Sequence, residues 1–228
     1  MITCARASGL TLAVDGAQHI PGAASSVLAD IDAAVAKLPS LQAGVRIHGV
    51  EALSLVLISE GAIGGIASTV LGSVCRPVRA ILFDKSVNTN WSLGWHQDRT
   101  ICVKQRIEVD GYGPWTTKRG LQHVAPPFEL LTRMISLRIH LDDVPAENSP
   151  LLIAPGSHQL GRVPVDRYAE VVGQCGQFAC LAQAGDIWAY ATPILHASDA
   201  ASVTGHRRVL QVDYSADLLP GGLEWLGV

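Results

Sequence analysis

The chain has 228 residues, 48% hydrophobic and 16% charged, and the charged share of an average soluble domain is about 25%. This excludes an intrinsically disordered chain, which needs low hydrophobicity and high net charge, and suffices for one sizeable core in a single domain over 1–228. Lys and Arg total 17 against 20 Asp and Glu, a formal net charge of −3, so nothing marks a nucleic-acid or membrane partner. A small-molecule partner is the expectation, and the low charge density leaves room for a homo-oligomer contact.

The start of the chain lacks the charged segment and continuous apolar run of a secretory signal. The five cysteines, Cys4, Cys75, Cys102, Cys175 and Cys180, are scattered and form no CxxC pair. Reduced thiols in a cytoplasmic protein are expected.

Residues 1–76 read as an N-terminal strand with buttressing helices. A short strand over 10–14 precedes Pro21-Gly22. Val27, Leu28, Ile31, Val35 and Leu38 recur at helical steps, with Ser25 or Ser26 to cap the start and Pro39 to mark the stop. A second helical region covers 51–72. Its apolar run over 53–71 carries Glu60, Gly61, Gly64 and Gly65, whereas a membrane span needs about 20 predominantly apolar residues. A buried helix pair around Gly61 is expected.

Residues 77–215 read as the β core. Residues 78–83 form a strand, and Ile101, Val103, Ile107 and Val109 alternate with other residues as in a half-buried strand. Asp110-Gly111-Tyr112-Gly113-Pro114 is turn chemistry. Residues 112–127 read as an irregular excursion, a candidate lid carrying Trp115, Lys118, Arg119 and His123. Further strands fall at 134–141, 150–154, 187–191 and 207–214. Helices followed by many short strands predict a mainly β fold with flanking α-helices, a sandwich or small barrel. In the strand at 134–141 one parity is Ile135, Leu137, Ile139 and Leu141, and the other is Met134, Ser136, Arg138 and His140. The polar parity faces solvent or a polar interior, and period alone does not choose.

His96-Gln97-Asp98 places an imidazole and a carboxylate on one face of extended chain. Imidazole nitrogen with carboxylate oxygen suits Fe(II), Mn(II) or Zn(II), and a third ligand completing two histidines and a carboxylate would leave three octahedral positions open, as oxygen-activating Fe(II) chemistry requires. His196 is the best candidate, closing a strand that starts after Gly185-Asp186. Arg207 and Arg208 follow at the start of a strand. Arginine binds a carboxylate in bidentate fashion. Arg208 shares parity with Leu210, Val212 and Tyr214, a packing face, which favours Arg207 as the inward residue.

Trp95-His96-Gln97-Asp98, Pro155-Gly156-Ser157-His158, Gly185-Asp186, Leu195-His196-Ala197-Ser198 and Arg207, in that order and spacing, resemble the phytanoyl-CoA dioxygenase family over about residues 78–215. The resemblance implies a double-stranded β-helix (jelly-roll, cupin-like) and Fe(II)- and 2-oxoglutarate-dependent oxygenase activity with O2 as co-oxidant, yielding succinate and CO2 while a small organic substrate is hydroxylated. It puts metal ligands on His96, Asp98 and His196. It places the 2-oxoglutarate arginine at Arg207, eleven residues after His196, and lines the same pocket with Arg138, which favours inward Ser136, Arg138 and His140. Ile81 or Lys85 touches cosubstrate or substrate, with a solvated strand end as the alternative for Lys85. Trp95, Gln97, Arg99, Arg138, Trp188 and Gln211 are the candidate substrate contacts. The turn Glu147-Asn148-Ser149-Pro150 departs from the family pattern, which is expected to alter a turn rather than the chemistry. No basic run for a CoA diphosphate is evident. The competing readings are a zinc hydrolase on the same three ligands, which leaves Arg207 unexplained, and a non-catalytic metal- or ligand-binding barrel.

Overall fold

The computed structural model describes residues 9–39, 42, 44–86, 89–201 and 206–228. Short elements come first: helix α1 (Leu12–Asp15), strand β1 (Ala17–Ile20), helix α2 (Leu28–Val35), strand β2 (Gly44–Ile47) and helices α3 (Glu51–Leu57) and α4 (Gly64–Leu71). Strands then dominate: β3 (Arg76–Lys85), β4 (Leu93–His96), β5 (Ile101–Val103), β6 (Trp115–Lys118), β7 (Leu121–Val124), β8 (Met134–His140), β9 (Leu151–Ile153), β10 (Phe178–Cys180), β11 (Ile187–Ala191), β12 (His196–Ser198) and β13 (Arg207–Ser215). Helix α5 (Phe128–Thr132) precedes β8, and α6 (Tyr168–Cys175) precedes β10.

The strands form a six-stranded sheet of order β1-β11-β8-β13-β3-β2, a four-stranded sheet of order β10-β9-β12-β4 and a three-stranded sheet of order β5-β7-β6. All pairings are antiparallel. The six- and four-stranded sheets face each other, with Trp188 and Tyr190 of one packed on Leu151, Ile153 and Cys180 of the other. This is the expected mainly β architecture, a double-stranded β-helix with helices on one side.

Side-chain alternation makes the large sheet two-faced. Ile135, Leu137, Ile139, Leu210, Val212 and Tyr214 pack outward against Ile31, Val35, Leu53, Leu57, Ile63 and Ala67 of the N-terminal helical layer. Each such buried side chain is worth about 1.5–3 kcal/mol. The opposite parity is Ser136, Arg138 and His140 on β8, and Arg207, Gln211 and Asp213 on β13, all buried. The parity at 134–141 is thereby decided: the polar face looks inward, because the apolar face is needed by the helices. Arg208, on the outward parity, donates to Asp142 and Asp32 and ties α2 to the sheet edge.

Several sequence expectations need correction. Residues 10–14 are not a strand: Leu12–Asp15 is a helical turn, closed because Asp15 accepts from the Thr11 N–H and Gly16 takes a left-handed φ of 74°. The strand follows it at β1. Neither Ser25 nor Ser26 caps α2, whose N-cap is Val27. The alternation through Ile107 and Val109 does not extend the strand, which ends at Val103; both residues instead pack beside Leu223 and Trp225. The excursion at 112–127 contains an ordered hairpin of β6 and β7, favoured by β-branched Thr116 and Thr117 and turned by Arg119 and Gly120, both at positive φ. His196 does not close the strand that begins after Asp186. The turn after Ala191 ends β11, and His196 opens β12 in the opposite sheet.

The apolar run at 53–71 is two helices, α3 and α4, as expected around Gly61. Among the described residues no helix is long and apolar enough to cross a membrane. The described cysteines Cys75, Cys102, Cys175 and Cys180 are free; Cys4 lies outside the described residues.

Gly64 shows why this segment is glycine-rich. A Cβ there would sit 1.9 Å from the Ile58 carbonyl oxygen, so α4 can start against the end of α3 only without a side chain. Gly64→Ala is expected to cost about 1–3 kcal/mol, the usual cost of overpacking, read as a lower urea midpoint with an unchanged m-value.

Candidate metal centre

β4 and β12 are neighbours in the four-stranded sheet, and their register places His96 directly opposite His196. The two rings lie 4.1 Å apart between centroids. The chain continues past His96 in extended form, so Asp98 returns to the same side. One ligand atom from each of His96, Asp98 and His196 lies within 4.8 Å of the others. The three residues singled out from the sequence are brought together.

Both imidazoles are oriented by the same device. His96 Nδ1 is 2.8 Å from the Gly94 carbonyl and His196 Nδ1 is 3.0 Å from the Ile194 carbonyl. A carbonyl only accepts, so Nδ1 carries the proton in each ring and Nε2 presents its lone pair, as a metal ligand requires. Burial and then the neighbouring His96 push His196 down to about 4, which keeps it neutral.

Asp98 has a partner that the sequence did not reveal. Arg79 Nη2 donates to Asp98 Oδ2 at 3.0 Å, and Arg79 Nε donates to Asp213. Burial opposes the Asp98 charge, but Arg79 and the two histidines outweigh it and hold the carboxyl below its usual range. Asp213 is itself held by Ser136 Oγ at 2.8 Å and Gln211 Nε2 at 3.2 Å. Burial alone would lower the Arg79 basicity, but its contacts with Asp213 and Asp98 raise it well above normal.

Elsewhere on the inner face lie three cations that have no carboxylate partner among the described residues. Arg207 is 2% exposed, and is the register neighbour of Lys85, which is 1% exposed. Arg138 is buried on β8, with Nη1 donating to Gln211 Oε1 at 3.0 Å. Arg207 donates to the Ser149 carbonyl, so the turn that departs from the family pattern reaches this end of the site. Lys85 Nζ donates to Ser198 Oγ at 2.9 Å and to the Asp199 carbonyl. Burial, then Arg207 and Arg138, pushes Lys85 down to about 7. Burial and then Arg138 pushes Arg207 down to about 9. The Nε atoms of Arg138 and Arg207 are buried with no hydrogen-bond partner. Cations crowded together with free donors fit a dianionic molecule such as 2-oxoglutarate, and the neutral two-histidine, one-carboxylate donor set fits Fe(II).

The remaining sequence candidates divide. Gln211 lines the inner face through its contacts with Arg138 and Asp213. Trp188 is on the inner face too, stacked on His19 at 4.9 Å with its indole N–H on the Leu181 carbonyl. Trp95, Gln97 and Arg99 are not brought to the triad. Trp95 alternates with His96 and packs beside Tyr168, Val171 and Val172. Gln97 donates to the Gly161 and Pro193 carbonyls and accepts from Val163 N. Arg99 donates to the Val163 carbonyl and Tyr168 hydroxyl. These three fasten the loop before α6 to the back of the metal-bearing strand. Arg79 and Asp213 are the residues sequence reasoning missed; the only signal was a charge inside each of two apolar strands.

Two expectations follow from this geometry. Arg79→Gln leaves Asp98 and Asp213 without their shared cation, and divalent-metal affinity should fall about 10–100-fold, measured by calorimetric titration. His140 is buried with both ring nitrogens unpartnered, and burial, then Arg138 and Arg207, pushes it down to about 3. Its folded pKa lies below its unfolded value of about 6.5, so the unfolded chain binds more protons between the two. Stability therefore rises with pH from about 3 to 6.5, and His140→Gln should flatten that slope in urea denaturation at pH 4.5 and pH 7.

Comparison with known proteins agrees with this geometry. The phytanoyl-CoA dioxygenase (PhyH) family profile matches residues 29–209. No curated protein sequence matches the chain. Among solved structures, the chain is similar to the epimerase SnoN from nogalamycin biosynthesis in complex with Fe3+, alpha ketoglutarate and nogalamycin RO, with 16% identity and a TM-score of 0.63 over 92% of this chain and 88% of that one. It is also similar to EctD from S. alaskensis in its apo form, with 17% identity and a TM-score of 0.61 over 90% and 74%. HygX from Streptomyces hygroscopicus, with nickel and 2-oxoglutarate bound, gives 14% identity and a TM-score of 0.60 over 90% and 84%. These likenesses show the fold, and the profile, which spans most of the sequence, shows the family. The chain belongs to the phytanoyl-CoA dioxygenase family, whose members depend on Fe(II) and 2-oxoglutarate and use O2.

Proposed function

We propose that this protein is an Fe(II)- and 2-oxoglutarate-dependent dioxygenase that hydroxylates a small organic substrate, releasing succinate and CO2. The observation that carries the reading is the pairing of two groups inside one sheet sandwich. One is a two-histidine, one-carboxylate cluster with both Nε2 lone pairs presented. The other is the set of uncompensated cations Lys85, Arg138 and Arg207. A hydrolytic zinc centre needs the first and has no use for the second. A non-catalytic barrel needs one or the other for its metal or ligand, and has no need of the two side by side.

In this reading His96, Asp98 and His196 hold the metal. Arg207 takes the far carboxylate of 2-oxoglutarate, with Lys85 and Arg138 beside it. The bound iron and cosubstrate supply the oxidising chemistry, while the chain binds, orients and keeps water away. Arg79 fixes the Asp98 carboxylate. Tyr190 and Trp188 wall the inner face with low-dielectric surface, which strengthens the charge pairing of cosubstrate with arginine. Free thiols at the described cysteines support a cytoplasmic setting.

The test is anaerobic loading with Fe(II) and 2-oxoglutarate, followed in the visible. A weak metal-to-ligand charge-transfer band is expected. It should vanish in His96→Ala, while Arg207→Ala should weaken 2-oxoglutarate binding at least about tenfold, as expected for losing a buried charge-assisted contact. Iron-loaded protein with no band would overturn the assignment and leave the hydrolase and binding-barrel readings.

A further inference from the structure

The sequence has no linear basic run, yet the fold assembles a basic cluster beside the triad, at the β2 edge of the inner face. Arg46 on β2 is the register partner of Ile81 on β3. Ile81 shares its parity with Arg79, so Arg46 projects from the sheet edge on the inner side. The three-stranded sheet packs on the large sheet through β5 against β3, near enough that Arg46 acts electrostatically on both Lys118 and His123. Ile101, Val103, Val124 and Trp115 lie on one face of that sheet and pack with Leu130, Leu131 and Trp225. The pairs Cys102–His123, Thr116–His123 and Lys118–Leu121 put Cys102, His123, Thr116 and Lys118 on the other face. Arg119 follows in the hairpin turn at φ 55°.

Among the described residues no carboxylate pairs with this group. Arg46, Lys118 and Arg119 have no ion-pair partner among the described residues, and the neighbouring Asp98 is engaged by Arg79. Arg46 Nε is buried without a hydrogen-bond partner, and so is Nε2 of His123, a residue 0% exposed. His123 Nδ1 donates to the Leu121 carbonyl at 3.1 Å, so Nε2 is an acceptor in the neutral ring, the form that burial and the nearby Arg46 and Lys118 favour by pushing the ring down to about 4; an anion that offsets those cations lets Nε2 take up a proton and donate. Burial and then the other cations lower the basicity of Arg46 and Lys118. Arg46 is half-buried and Lys118 exposed at the rim, and like charges held near one another are relieved by an anion.

We infer that Arg46, Lys118 and His123 form an oxyanion subsite that receives an acidic group of the substrate, a carboxylate or a phosphate, and so sets which carbon faces the triad. The inference rests on the oxygenase reading, with Arg207 serving the cosubstrate and this cluster serving the substrate. The hairpin β6–β7 is then part of the substrate site, supplying its cation from Lys118.

Inorganic phosphate and benzoate are suitable probes, titrated calorimetrically into the intact protein under anaerobic conditions with Fe(II) and saturating 2-oxoglutarate. At least one is expected to bind saturably. The double variant Arg46→Gln, Lys118→Gln should bind it at least about tenfold more weakly, with 2-oxoglutarate affinity, read from the visible band, unchanged. Arg46→Lys with Lys118→Arg, which keeps both charges, should retain most of the binding and guards against a folding artefact. Phosphate alone assigns a phosphorylated substrate, benzoate alone a carboxylic acid, and both a site for either. Absence of binding by both probes, or equal affinity in the double variant, overturns the subsite. Should 2-oxoglutarate itself fail to bind, the oxygenase reading falls separately. The same titrations in an Arg207→Gln background, without cosubstrate, then still decide whether Arg46 and Lys118 hold an anion.

Discussion

Strand β13 is hydrogen-bonded on both sides, to β3 and to β8, and its register decides which charges meet inside the sandwich. It sets Asp213 between Arg79 and Ser136, Gln211 beside Arg138, and Arg207 beside Lys85. A slip of one residue would reverse its faces. Leu210, Val212 and Tyr214 would leave the helical layer, and Arg208 would enter the interior. Apolar burial on the outer face therefore holds the register, and the register arranges the polar face. The Tyr214 hydroxyl adds a direct tie, donating to the Leu57 carbonyl at 2.9 Å.

From that arrangement follows a separation of charge along the inner face. Arg79 sits among carboxylates and is fully compensated, and it steadies the triad through Asp98. Among the described residues, Arg207, Lys85 and Arg138, which are buried, and the half-buried Arg46 with the exposed Lys118 at the β2 edge have no carboxylate partner. A buried cation without an anion is costly, and an inner face that keeps Arg207, Lys85 and Arg138 in that state is suited to molecules that bring negative charge. In the strand pair that carries the candidate ligands, cross-strand pairing and two backbone carbonyls fix both imidazoles. Gln97 and Arg99 secure it from behind, which explains their burial without any role at the triad.

Much of the core was legible because it depends on local periodicity. The strands at β3, β8, β11 and β13 and the helix pair α3–α4 follow from runs and alternations of apolar residues in the sequence. The failures have local physical causes. The turn at Leu12–Asp15 is held by the Asp15 carboxylate accepting from Thr11, a contact which an apolar run conceals. Ile107 and Val109 alternate like a strand but are buried by the C-terminal residues Leu223 and Trp225, a contact with no local signal. The β6–β7 hairpin was obscured because its turn uses Arg119 at positive φ, where glycine or asparagine is the usual mark.

The sequence by itself singled out the candidate ligand set. His96, Asp98, His196 and Arg207 came from residue type, spacing and parity together with the family resemblance, because metal coordination and carboxylate recognition demand particular side chains. Tertiary structure decided what surrounds them. That Arg79 serves Asp98, that Lys85 lies beside Arg207, and that Arg46 meets Lys118 and His123 all depend on strand register and on the packing of one sheet against another. Those contacts join residues far apart in the chain, and no local pattern of apolar and polar residues encodes which of them will be neighbours.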